Sequence, residues 1–131
     1  MPTRTAAQLR EEAARDYDAF MAECPARHLL DRIGTKWVSL VLLGLADGPQ
    51  RDSDLSRRIA GVSQKMLTQT LRNLERDGLI SRAVTPSVPV RVDYELTALG
   101  ESLLPLVNAI REWAESNMPK VEAAREQYDA L

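Results

Sequence analysis

The chain has 131 residues, 44% apolar and 27% charged, with a formal net charge of −2: enough for one buried core, too little for two ordinary domains. No apolar run approaches a membrane span, and Met1-Pro2-Thr3-Arg4 ahead of a polar helix does not resemble a signal peptide, so a soluble, cytoplasmic protein is expected. The single cysteine, Cys24, excludes an intrachain disulfide framework and a cysteine-based zinc site, and one histidine without a glycine-rich phosphate loop or clustered carboxylates argues against an enzyme or a bound cofactor.

From the N-terminus, Ala6 to Ala22 carries Leu9, Ala13, Tyr17, Phe20 and Met21 at helical spacing, predicting an amphipathic helix. Cys24-Pro25 interrupts it, because proline disfavours helical backbone in the residue before it and suits the first position of a new helix. The second helix therefore starts at Pro25, with Leu29, Leu30 and Ile33 on its inner face, and ends at Gly34. Thr35 caps a third, through Trp37, Val38 and Leu40 to Leu45, apolar nearly all round and expected to be the core helix until Gly48-Pro49 stops it. A short helix follows from about Ser53 to Ala60, capped by Asp52 or Ser53 and burying Leu55 and Ile59.

Gly61-Val62 turns the chain, and Ser63 caps a helix reaching Asp77, in which Leu67, Leu71 and Leu74 recur at i, i+4 and i+7 before Gly78 closes it as a left-handed C-cap. Leu79 to Val84 and Val88 to Leu96 are β-rich. In the second run Val88, Val90, Val92, Tyr94 and Leu96 alternate with polar residues or proline, predicting a half-buried strand, and Thr85-Pro86-Ser87 joins the pair as a hairpin. Thr97 caps a long helix carrying Leu99, Leu103, Leu106, Val107, Ile110 and Trp113, and Pro119 opens a last turn or helix to Leu131. Met66 and Trp37 are expected to pack in the core or a cap, and His28, one helical turn beyond Cys24, to be a surface or hydrogen-bonded histidine, with proximity to the thiol as the alternative.

The order of core helix, short helix, three-residue turn, capped helix and hairpin is that of a winged helix-turn-helix, mainly α with a small β-hairpin. Charge divides the same way: residues 50 to 91 hold eight Lys/Arg against four acids, a net +4, while residues 92 to 131 hold three against eight, a net −5. Phosphate contact therefore belongs in the middle of the chain. With the leucine stripe turned inward, Lys65, Thr68, Gln69, Arg72 and Arg76 share the opposite face. Glutamine suits adenine, and lysine and arginine suit guanine or phosphate. Ser63 and Gln64 sit where the helix N-terminus favours an anion. Arg91, beside the hairpin tip, is placed to reach a minor groove or phosphate from a wing; its alternative is pairing with Asp93 or Glu95, and Arg82 is a phosphate contact or plain surface. The whole polar face has its own alternative as a merely solvated surface.

Three motifs carry a family resemblance: C-P-A-R-H-L-L-D-R-I-G-T-K-W from Cys24 to Trp37, S-Q-K-M-L-T-Q-T-L-R-N-L-E-R-D-G-L-I from Ser63 to Ile80, and P-S-V-P-V-R-V-D-Y-E-L-T-A-L-G from Pro86 to Gly100. Together they resemble the HxlR-type bacterial transcriptional regulators, a winged-helix group related to the MarR-type regulators. One departure falls at Asp52, where the family usually has an aromatic residue, which puts the packing of the short strand there in question. The resemblance implies a sequence-specific regulator, expected to be a repressor, binding double-stranded operator DNA as a homodimer on a near-palindromic site. The resemblance covers roughly residues 23 to 116, and the chain is expected to divide into an N-terminal helical extension (1-22), a winged helix-turn-helix DNA-binding domain (23-100) and C-terminal dimerisation helices (101-131).

Amphipathic helices at both ends also leave apolar faces that a winged-helix core does not cover, and a two-fold partner is the commonest solution. Leu9, Phe20, Ile110 and Trp113 are candidates for that interface, with burial in the same subunit as the alternative for the last two. Dimerisation would set two reading helices about 34 Å apart, one turn of DNA. The resemblance also implies a switch by oxidants or electrophiles at Cys24, whose expected place at a helix N-cap would favour a thiolate; the alternative is a structural, half-buried cysteine. A winged-helix module for protein association, and a regulator switched by a small non-covalent ligand, remain open at this point.

Overall fold

A computed structural model of the protein describes residues 3–131 and divides the chain into two compact units, Met1–Lys36 and Trp37–Leu131. In the first, α1 (Ala6–Glu23) starts from a reciprocal cap: Thr5 Oγ1 accepts from the Gln8 amide at 3.1 Å and Gln8 Oε1 from the Thr5 amide at 2.9 Å. No residue of α1 is buried, and Leu9 and Phe20 stand 51% and 65% exposed. Cys24 both ends α1 and precedes α2 (Pro25–Ile33), as proline at the first helical position requires. The expected inner face of α2 is narrower than the apolar spacing implies: Ile33 is buried and Leu29 half-buried, but Leu30 is exposed.

The second unit is built on α3 (Lys36–Gly44), whose Val38, Val41 and Leu42 are buried, while Leu40 remains exposed although the helix is apolar nearly all round. Leu45, Leu55, Ile59, Leu67, Leu71, Leu74, Leu79, Ile80 and Val107 complete the core. A two-residue strand β1 (Gln50–Arg51) leads directly into α4 (Asp52–Arg58). Arg51, not Asp52 or Ser53, is therefore the N-cap: its extended backbone belongs to the sheet, so Asp52 is already the first helical residue. Asp52 and Asp54 in the first turn complement the helix dipole.

α5 (Gln64–Arg76) begins at Ser63, whose Oγ accepts from the Met66 amide at 3.1 Å. It ends in a Schellman arrangement: Gly78 adopts φ +75°, its N–H donates to Glu75 O, and that of Leu79 to Leu74 O, both at 3.0 Å. The chain then forms β2 (Ile80–Thr85) and β3 (Arg91–Leu96) in an antiparallel sheet of order β1-β3-β2, in register from Ile80↔Leu96 to Thr85↔Arg91. Val92, Tyr94 and Leu96 are half-buried as their alternation predicts, but the inward face does not extend to Val88 and Val90. Both are exposed in the loop beyond the ladder, because Pro86 and Pro89 have no N–H to lengthen it.

Thr97 caps α6 (Ala98–Asp129), accepting from the Gly100 amide at 3.1 Å while its hydroxyl donates to Gly78 O at 2.6 Å. Pro119 does not open a separate element: the helix runs unbroken through Pro105 and Pro119. The carbonyls each proline leaves without a donor belong to Glu101 and Glu115, both exposed positions where water is free to replace the lost bond. Along α6 Leu99, Leu106, Ile110 and Trp113 are 44–58% exposed, so Ile110 and Trp113 are not buried within their own chain.

Candidate nucleic-acid interface

α5 presents two opposed faces. Leu67, Thr70, Leu71 and Leu74 are buried, with the Thr70 hydroxyl returned to Met66 O at 2.8 Å so that no polar atom is left unpaired. At 100° per residue the direction opposite their mean falls between Lys65, Gln69, Arg72 and Arg76, all of which are exposed. No hydrogen bond or ion pair among the described residues engages these four side chains. Three basic side chains and an amide with donor and acceptor both free thus share one face of α5. Gln64, Lys65, Thr68, Gln69, Arg72 and Asn73 border a shallow groove along it.

The flanks are more constrained. Ser63 Oγ is spent as a cap acceptor but keeps its proton as a donor, beside backbone amides of Gln64 and Lys65 at the positive end of the helix. Gln64 is held by Asp52 and Thr68: its Nε2 lies 3.0 Å from both Asp52 carboxylate oxygens and 3.2 Å from Thr68 Oγ1. Asp52 therefore does not disturb the short strand; it is a half-buried helix-start residue that reaches across to α5. In the sequence Asp52 stands out as a possible helix cap and as a departure from the family pattern, but not as a partner of α5. The signal that its role is polar was the glutamine twelve positions on, which no local pattern links to it.

At the wing, Arg91 does pair with Asp93, at 3.0 and 3.3 Å. That hydrogen bond, and then the charge of Asp93, holds the exposed Arg91 guanidinium even more firmly protonated than usual. A phosphate must compete with Asp93 for it. Arg82 stands 3.9 Å from Glu75, and with Arg51, which the sequence pattern does not single out as a contact, it borders a cleft between the start of α4, the start of α5 and the wing. Tyr94 lines the same cleft; burial pushes its phenol up, so it stays neutral at physiological pH. Met66 is 38% exposed rather than packed away, Trp37 is half-buried, and His28 is exposed.

Elsewhere Cys24 is a free, partly exposed cysteine with no side-chain hydrogen bond capping α2. Among the described residues no three His, Cys, Asp or Glu side chains form a metal-sized cluster, and no helix is long and apolar enough to cross a membrane.

Residues 32–122 match the family described as HxlR-like helix-turn-helix. The chain is 42% identical to the HTH-type transcriptional regulator YtfH of Escherichia coli over 116 residues, 88% of this chain and 92% of that protein. Among solved structures it resembles the transcriptional regulator ytfH from Salmonella typhimurium, with a TM-score of 0.74 at 46% identity, covering 82% of this chain and 96% of that one. The redox regulator HypR in its reduced form gives a TM-score of 0.72 at 39% identity, over 76% of this chain and 98% of that one.

Proposed function

The chain belongs to the HxlR-like helix-turn-helix family and is a transcriptional regulator of that type, and from that premise we propose that it represses transcription as a homodimer, inserting α5 of each subunit into successive major grooves of a near-palindromic operator. The observation that carries the reading is the unengaged face of Lys65, Gln69, Arg72 and Arg76 opposite four buried side chains. The cations supply phosphate affinity and Gln69 and Arg72 supply base contacts, with Thr68 and Arg91 at the margins. Pairing of two subunits is supported by the apolar stripe on α6, where Ile110 and Trp113 are 56% and 58% exposed, and by Leu9 and Phe20 on α1. Exposed apolar side chains grouped on a helix mark an interaction surface, and a second copy is its commonest occupant.

Dimerisation and operator binding then fall together. Replacing Trp113 and Ile110 by glutamate is expected to raise the dimer dissociation constant at least about thirtyfold, the cost of losing one buried aromatic anchor, with operator affinity lost in parallel. Sedimentation and fluorescence anisotropy on the same samples check this. A variant that remains dimeric refutes the interface.

A switch at Cys24 is favoured by its partial exposure, its place before α2 and the likeness to a redox regulator. As the only cysteine, it has three routes: alkylation, a mixed disulfide, or a bond to the same cysteine of a second subunit. Iodoacetamide, which Sγ attacks with loss of iodide, is expected to change operator affinity at least about tenfold in the native chain and not in Cys24→Ser. Equal affinity before and after treatment would assign Cys24 a structural role.

A further inference from the structure

Gln64 sits at the first position of α5, where a reading helix comes nearest to base edges. A carboxylate only accepts hydrogen bonds, so the amide nitrogen of Gln64, not its oxygen, must face Asp52. One Nε2 proton is shared between the two Asp52 oxygens at 3.0 Å, and the other is directed to Thr68 Oγ1 at 3.2 Å. Both donors of the amide are thereby occupied, while Oε1 has no partner among the described residues. Asp52 is well placed to hold this geometry: it is half-buried, its backbone follows directly from the paired strand β1, and the start of α4 favours its negative charge.

Bidentate pairing of glutamine with adenine needs one Nε2 proton for N7 together with Oε1 for the N6 amino group. Gln64 has no proton to spare for it. Resting on the proposal that α5 enters the major groove, we infer that Asp52 is a specificity-determining positioning residue: it occupies the donor end of Gln64, so that only the Oε1 acceptor faces the groove and selects a base with an exocyclic amino group. Adenine N6 and cytosine N4 satisfy that acceptor. Guanine O6 and thymine O4 present acceptors of their own and repel it. Gln69, with no such partner, keeps the bidentate mode.

The test uses duplexes selected from a random pool by the full-length protein. The base pair read by Gln64 is the one whose preference relaxes in Gln64→Ala. At that pair the native chain is expected to accept adenine or cytosine with affinities within about threefold, to bind guanine and thymine at least about tenfold more weakly, and to tolerate 7-deazaadenine, which lacks the N7 acceptor, with less than about twofold loss. In Asp52→Ala the freed amide is expected to favour adenine over cytosine and to lose about tenfold on 7-deazaadenine. A tenfold loss on 7-deazaadenine in the native chain overturns the inference whatever the variant does, as does an Asp52→Ala protein with an unchanged base profile. If the native chain enriches no duplex at all, the DNA-reading proposal falls first and takes this inference with it.

Discussion

Replacing Arg72 and Gln69 together by alanine is expected to lower affinity for the selected operator by about a thousandfold while leaving the dimer intact. The size follows from counting: a good base contact is worth at least about 1 kcal/mol, each of two subunits loses two, and about 1.4 kcal/mol corresponds to a factor of ten. Both side chains are exposed and no hydrogen bond or ion pair among the described residues engages them, so their removal leaves no buried partner unsatisfied. The fold should survive. Circular dichroism and sedimentation check that, and anisotropy against the selected and a scrambled duplex checks the affinity. If the double variant still protects the same site, base reading resides on another element.

Gly100→Ala is expected to destabilise the protein by about 3 kcal/mol, near the upper end for forcing an extra group into a packed site, and to lower its melting temperature by roughly 10 °C. Gly100 is buried in the first turn of α6, where a Cβ would collide with the backbone carbonyl of Leu79. The same carbonyl accepts from the Thr97 amide at 3.1 Å, and Thr97 Oγ1 donates to the neighbouring Gly78 carbonyl. α6 is thus seated on the turn that follows α5, and it cannot withdraw from Leu79 without breaking those bonds. Thermal unfolding followed at 222 nm decides it; a melting point within about 2 °C of the native chain would mean that the close approach is not fixed.

The parts of this molecule that short-range pattern determines were legible in its sequence. Leu67, Leu71 and Leu74 follow the period of a helix with one buried face, and Ser63 and Gly78 mark its ends by capping chemistry that hardly depends on the rest of the protein. What was not legible depends on groups distant in sequence or on solvent. Gly100 reads as one more glycine until Leu79 is brought against it. Asp52 and Gln64 meet only because β1 and α4 place the carboxylate over the start of α5. Pro119 reads as a helix start, yet α6 continues through it because the carbonyl it strands is open to water. Val88 and Val90 continue an alternating pattern past the point where Pro86 and Pro89 end the hydrogen-bonded ladder. In the candidate site, the outward face of α5 could be assigned from the helical period alone. That Arg91 is already engaged by Asp93 could not, since the sequence does not show whether its side chain lies back along the strand or reaches out from the wing.

If two copies of α5 read duplex DNA as a pair, selection of bound duplexes from a random pool yields an inverted repeat whose half-sites are centred about one helical turn, 10–10.5 base pairs, apart. Enrichment of no sequence, or of an isolated single half-site, would contradict it.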